Sequence, residues 1–293
     1  MSEKWREGAW FRMPLAEEAL SAMHTFTFMG TGAGCGVPSF FCDCPACEEA
    51  RANPSLARGD CGVMVRGEHV DPLLGNTPTL VIDTPPDARH QLLREGVMWV
   101  DEVLFTHCHF DHIGGLGEYE YLVALKRAGA KLPAYGSPEA LEGILREFGY
   151  MDYVLDARKL SPGEAHEFDG VSYTALPVTH APGTYGYLVE TPATRLFYAS
   201  DTGPLPPETA ERIRGVDVLA MDATFWKKNW NPDDHHSVQE CIEEGLALDA
   251  GTVYLTHLCM HYDEPVTCAQ LEEHLEQYDG RVRMAFDGLT FEI

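Results

Sequence analysis

Thr106-His107-Cys108-His109-Phe110-Asp111-His112 places three histidines and an aspartate within six positions, directly after the apolar run Glu102 to Phe105 and just ahead of Gly114-Gly115. A lone histidine is most often a solvated or core residue. This spacing argues for more. His107 and His109 are two apart, so a short extended segment can point both imidazoles the same way. Asp111 and His112 follow in a turn toward two glycines, where the backbone can bend sharply. Imidazole and carboxylate together suit zinc, manganese or iron. The motif therefore predicts a metal site on a loop at a strand end.

Working outward, other short apolar runs also end in side chains able to bind metal. Thr79 to Ile82 leads to Asp83, Val171 to Val178 to His180, Arg195 to Ala199 to Asp201, Val216 to Met221 to Asp222, and Thr252 to Leu255 to His257. His24 to Met29 and Tyr185 to Glu190 also read as strands. Helices are expected at Ala88 to Glu95, Glu139 to Phe148, Val238 to Leu248 and Cys268 to Tyr278. The last two start with capping boxes, Ser237-Val238-Gln239-Glu240 and Thr267-Cys268-Ala269-Gln270. Strands alternating with helices predict an α/β sandwich, with helices covering paired sheets. Loops at strand ends are where such scaffolds display catalytic groups.

Composition limits what the chain can do. Its 293 residues can bury a full core. No repeat or low-complexity linker interrupts it, so one domain over residues 24–293 is expected, behind an N-terminal extension, 1–23. Asp plus Glu number 46 against 21 Lys plus Arg, a net charge of −25. Such a surface repels long nucleic acid and anionic membranes, whereas a small anion can still bind where metal ions reverse the local potential. No run of about 18 apolar residues is present, and the first residues lack a signal-peptide core, so no membrane span is expected. The nine cysteines are odd in number, and Cys42, Cys44 and Cys47 are clustered. That pattern suggests metal binding in a reducing, cytoplasmic setting rather than a disulfide framework.

His107-x-His109-x-Asp111-His112 resembles the signature of the metallo-β-lactamase superfamily, and His180, Asp201 and His257 match its later ligands in order. The resemblance implies an αβ/βα sandwich carrying two divalent ions, zinc or manganese. By it, His107, His109 and His180 hold one ion, Asp111, His112 and His257 hold the other, and Asp201 bridges them. Two cations a few ångströms apart would lower the pKa of a shared water toward ~7 and clamp both oxygens of an in-line displacement. Asp111 is thus a candidate catalytic residue as well as a ligand. Asp83 is a candidate for orienting a ligand imidazole, with simple strand-end solvation as the competing reading.

Cys42-x-Cys44-x2-Cys47 brings three thiolates within six residues, just past Gly30-Thr31-Gly32-Ala33-Gly34-Cys35-Gly36-Val37-Pro38. A closed tetrahedral zinc needs a fourth ligand. The glycine-rich stretch, the cysteine knuckle and the histidine motif together resemble the phosphoribosyl cyclic phosphate phosphodiesterases of the carbon–phosphorus lyase pathway. The likeness runs from about His24 to the C-terminus and includes Phe286-Asp287-Gly288. It implies a structural zinc completed by a histidine shortly after His257. Here His261 is the first choice and Cys259 the second, because the spacing departs by one residue. It also implies a histidine that protonates the leaving group, and His235, ahead of a capped helix, matches that place, with His236 beside it as the alternative.

The implied activity is hydrolysis of a small cyclic or nucleotide-like phosphodiester. Ribonuclease Z-like processing, or another hydrolase chemistry of this fold, is the alternative within enzymes. A non-hydrolytic role like that of the pyrroloquinoline quinone biosynthesis B protein, which has a similar knuckle, is the alternative outside them. Trp226-Lys227-Lys228-Asn229-Trp230 could meet a phosphate and a ring of the substrate, or form an ordinary surface loop. Trp5, Trp10 and Phe11 make the extension sticky, able to pack on the body or on a second subunit of a homodimer.

Overall fold

In the computed structural model, residues 23–68, 76–127, 129–262 and 264–293 are described. The expected N-terminal extension, with Trp5, Trp10 and Phe11, lies, apart from Met23, outside the described residues. Strands β1 (Thr25–Gly30), β2 (Gly62–Arg66), β3 (Thr79–Ile82), β4 (Glu102–Leu104), β5 (Leu132–Gly136) and β6 (Leu155–Lys159) build a first sheet. Strands β7 (Ala165–Phe168), β8 (Val171–Pro177), β9 (Tyr185–Glu190), β10 (Arg195–Ala199), β11 (Val218–Asp222), β12 (Thr252–Thr256) and β13 (Val282–Met284) build the second. The last strand, β14 (Thr290–Glu292), returns to the first sheet beside β1, giving orders β14-β1-β2-β3-β4-β5-β6 and β13-β12-β11-β10-β9-β8-β7.

Side-chain alternation explains the layers. In β3, Leu80 and Ile82 point to a core shared by both sheets, whereas Val81 points the other way. In β11, Ala220 joins that shared core while Leu219 and Met221 face helices. The shared core is aromatic, with Phe26, Phe28, Tyr173, Tyr187 and Tyr198 fully buried. The outer face of the first sheet is covered by α2 (Ala88–Arg94), α3 (Phe110–Ile113), α4 (Tyr119–Leu125) and α5 (Pro138–Glu147). Helices α1 (Pro45–Ala52), α6 (Pro207–Arg212), α7 (Val238–Ala247) and α8 (Cys268–Leu275) cover the second. Both expected capping boxes are present, at the starts of α7 and α8. The result is the expected αβ/βα sandwich. Among the described residues, no helix is long and apolar enough to cross a membrane.

β3 and β4 run parallel, as do β10, β11 and β12. Their C-terminal ends therefore open side by side, the place where α/β sheets present ligand sites. The sheets are also tied beneath that edge: Tyr185 N donates to Thr106 O over 3.0 Å and the Tyr187 hydroxyl to Phe105 O over 2.7 Å.

The two glycines after the histidine motif act differently from the expected sharp bend. Gly114 and Gly115 keep ordinary negative φ values, −60° and −92°. Gly115 is needed for close approach: a Cβ there would lie 2.1 Å from Pro85 O, a backbone atom that cannot swing away. Gly115→Ala should thus lower stability by about 1–3 kcal/mol through overpacking. Urea denaturation measures this, and a wild-type midpoint would refute the close-approach reading.

Candidate metal centre

His107, His109 and His180 form one group whose ring nitrogens lie within 4.8 Å of one another, and Asp111, His112, Asp201 and His257 form a second. Asp201 reaches both, 3.0 Å from His112 Nε2, 3.1 Å from His257 Nε2 and 4.0 Å from His180 Nε2. These are the seven residues singled out in the sequence, divided between two neighbouring clusters. His107 Nε2, His112 Nε2, His257 Nε2 and Asp201 Oδ2 are buried without a hydrogen bond. Buried polar atoms are rarely left so. Their convergence suits shared cations, and the donor set of imidazoles and carboxylates fits divalent metals.

Four of the five rings are aimed by a hydrogen bond at the other nitrogen. His112 Nδ1 donates to Asp83 Oδ2 over 2.8 Å, His257 Nδ1 meets Thr224 Oγ1 at 2.8 Å, and His180 Nδ1 donates to Asp234 O over 3.0 Å. His107 Nδ1 lies 3.0 Å from Thr106 Oγ1. Asp83 is fully buried, with φ 67°, and also accepts from Thr106 N and Oγ1 at 2.8 and 2.7 Å. Strand-end solvation is therefore ruled out for it. Gly34 lets the glycine-rich loop approach, since a Cβ there would lie 2.9 Å from Asp111 Oδ2. Asp287, from the C-terminal motif, clasps that loop by accepting from Thr31 Oγ1 and Gly59 N, both at 2.8 Å.

The electrostatics favour positive charge on His112 and His257 of the second group and neutral rings at His107 and His109 of the first. Burial drives the His107 pKa well down, with neighbouring His112 adding to it, and burial and His180 lower that of His109. Neutral imidazole is the ligating form. Burial also opposes charge on His257, but Asp201 and the Asp111 contact outweigh it and raise its pKa to about 9. His112 goes the same way against burial, through Asp201, Asp111 and Asp83. Asp60, not singled out in the sequence, is pushed up to about 7 by burial and by repulsion from Asp87 and Asp111.

His235 joins this edge. Its ring stacks parallel to His257 at 5.4 Å and lies 4.8 Å from His180. Its Nδ1 donates to Asp222 Oδ2 over 2.6 Å, leaving Nε2 for other work. Burial resists protonation, but that hydrogen bond and the Asp222 charge raise its pKa. His236 points elsewhere, bonding Thr202 O at 2.6 Å and pairing with Glu244 at 2.8 Å. Asp222 was visible in the sequence only as a strand-end carboxylate. Its partnership with His235 depends on the intervening loop, which no short-range signal reveals.

Cys42, Cys44, Cys47 and His261 form a separate cluster within the same 4.8 Å limit. Cys44 is the N-cap of α1 and Pro45 follows at its first position, so the helix start sets the spacing of Cys44 and Cys47. His261 Nδ1 lies 3.2 Å from Cys47 Sγ, while its Nε2 lies 2.9 Å from Cys35 Sγ. Cys259 falls into a different group, with Cys35 and His261. Of the two sequence choices, the fold brings His261 to the three cysteines. A cavity of about 860 Å³ around Leu56, Arg94, Leu275, Arg283 and Phe286 contains none of these donors.

Asp83→Asn tests the ring-aiming argument. An amide cannot take His112 Nδ1–H and both Thr106 donors as the carboxylate does, so metal affinity or turnover should fall about 10–100-fold. Metal titration and kinetics together check this, and unchanged values for both would reject it.

The family model for the Beta-lactamase superfamily domain matches residues 78–258. A solved structure described as a new diphosphatase from the PhnP family superposes with TM-score 0.77 at 30% identity, over 92% of this chain and 98% of that one. Zn²⁺-bound PqqB from Methylobacterium extorquens gives TM-score 0.70 at 21% identity, over 92% of this chain and 100% of that one, a likeness of fold. Among curated relatives, an octanoyltransferase of Porphyromonas gingivalis is 23% identical over 271 residues, 89% of this chain. This chain spans 50% of that relative's length. Ribonuclease Z of Myxococcus xanthus is 25% identical over 303 residues, 83% of this chain and 94% of that protein. The fold, the paired His and Asp clusters and these likenesses agree: the chain belongs to the beta-lactamase superfamily, within it to the PhnP family, and is a metallo-β-lactamase-fold hydrolase.

Proposed function

We propose that this chain is a phosphodiesterase acting on small anionic phosphodiesters or diphosphate esters, with zinc or manganese at the paired clusters. The observation that carries this reading is the His235–Asp222 pair, set 4.8 and 5.4 Å from His180 and His257 at the edge of a double donor cluster. His107, His109 and His180 would hold one ion, Asp111, His112 and His257 the other, and Asp201 both. When bound, two divalent ions supply an acidified water and neutralise phosphoryl charge.

The chain's own groups supply the rest. In hydrolysis the water–phosphorus bond forms, the bond from phosphorus to the leaving oxygen breaks, and that oxygen gains a proton. His235 holds this proton at Nε2, while Asp222 fixes its tautomer and favours the imidazolium. Asp234 O orients His180 from the same loop, so acid and ligand are placed together. The −25 charge argues against ribonuclease Z-like grip on long RNA. Three free thiols and His261 support a structural zinc, and nine free cysteines support a reducing, cytoplasmic setting. A non-hydrolytic protein would have little use for the full double cluster. About three ions per chain would favour the hydrolase, about one the non-hydrolytic reading.

Two experiments test this. Cys44→Ser should lower thermal stability and zinc content more than turnover, because structural zinc contributes folding energy directly. A stable, zinc-replete but inactive Cys44→Ser protein would contradict the assignment. His235→Ala should keep most of its rate on a p-nitrophenyl diester and lose about 10²–10⁴-fold on an alkyl one, whose leaving group needs the proton. His236→Ala should instead lower the melting temperature, as expected for a buried, paired ring. Equal losses on both diesters in His235→Ala would point to positioning rather than proton donation.

A further inference from the structure

The pentapeptide Trp226 to Trp230 divides in the fold. Trp226 turns to the body, packing edge-on against His274 at 5.0 Å, and Lys227 lies over it and pairs with Glu264 at 3.1 Å. Trp230 goes the other way. Its ring meets Phe225 at 4.9 Å and Tyr262 at 5.9 Å, and Tyr262 meets Phe225 at 5.9 Å. Phe225 is buried and its ring lies 6.2 Å from His235. Trp230 and Tyr262 remain 56% and 38% exposed. The loop of Trp230 is backed by polar anchors. Asn229 Nδ2 donates to His235 O and to Glu240 Oε2, each over 2.7 Å, and His235 N donates to Asn231 O over 3.0 Å. Tyr262 directly follows His261 of the cysteine cluster, and the two rings lie 5.8 Å apart.

A tryptophan and a tyrosine held open at a rigid corner, with a buried phenylalanine as floor, leave apolar ring faces in water. Stacking a flat ring there removes that cost. The corner lies on the side of His235, the group that protonates the departing oxygen, so a ring placed there is carried by the leaving group. We propose that Trp230 and Tyr262 form the leaving-group subsite, and that the substrates are phosphodiesters whose departing alcohol bears a planar aromatic ring, a nucleoside or an aryl alcohol. This rests on the phosphodiesterase reading above and extends it to substrate class.

The test compares two methyl phosphodiesters with leaving alcohols of matched acidity, one carrying a phenyl ring and one a cyclohexyl ring, with a nucleoside diester as a third arm. In the holoenzyme, KM should favour the phenyl and nucleoside diesters, and Trp230→Ala should reduce that preference about tenfold. Trp230→Phe should restore part of it, and metal content should stay at the wild-type value. Preference for the nucleoside over the phenyl diester would identify a base as the ring. Equal KM changes for phenyl and cyclohexyl substrates, or none, would overturn the subsite while leaving the reaction intact. Binding of the free ring-bearing alcohol by saturation-transfer NMR separates the two ideas. If no diester is hydrolysed but wild type binds that alcohol better than Trp230→Ala does, the subsite stands and the reaction assignment falls. If neither hydrolysis nor that difference in binding is seen, both fall.

Discussion

Asp83, Asp201 and Asp222 are buried in the crevice at the strand ends and Asp111 is partly buried beside them, and desolvated carboxylates are costly unless each is paired. Asp83 and Asp222 are answered from within the chain. One accepts from Thr106 and His112, the other from Thr202, Thr224 and His235. Asp111 and Asp201 face histidine nitrogens that make no hydrogen bond of their own. The inner pair of carboxylates thus depends on positive charge brought to the crevice, and the outer pair fixes the rings that meet it. The two sheets must hold their edges in register for this arrangement to persist. The contacts of Tyr185 and Tyr187 with the backbone at Phe105 and Thr106 do that from the aromatic core.

Much of this was legible because the site lies at the ends of strongly patterned segments. Thr79–Ile82, Tyr185–Glu190 and Arg195–Ala199 are apolar runs bounded by turn residues, and the fold places them as strands with the same ends. The ordered series of donors after such runs is likewise a local property of the sequence. Strands β6 and β7 were not legible. Leu155–Lys159 and Ala165–Phe168 are half polar and largely exposed, and they are strands because they lie at the outer edges of the two sheets. Pro133 hid β5, and α1 was masked by the cysteines that occupy its first turn. In each case a tertiary neighbour supplies what periodicity lacks.

The choice between His235 and His236 shows the same limit at the scale of one residue. Adjacent side chains entering a helix point in opposite directions, so one must face the crevice and the other the body. Which does so depends on Glu244, eight positions after His236, and on Asp222, thirteen before His235. The fourth knuckle ligand was open for a related reason. His257 adopts a left-handed φ of 54°, which redirects the chain after β12 and brings His261, rather than Cys259, to the cysteine cluster.

That redirection also joins parts that look separate in the sequence. His261 touches Cys47 on one side and Cys35 on the other, and Tyr262 follows it into the aromatic corner beside His235. The glycine-rich loop that carries Cys35 also passes Asp111 at Gly34. The cysteine cluster, the inner carboxylates and the loop of His235 are therefore linked through two short runs of backbone, one at Gly34 and Cys35 and one from His257 to Tyr262. A metal ion bound by the four donors would restrain both runs at once and so limit the conformational entropy of the loops they carry. The knuckle thus lies where the two runs meet, and a metal there would act first on the stability of that junction, while the position of Trp230 relative to His235 is set within their own loop, by Asn229 and Asn231.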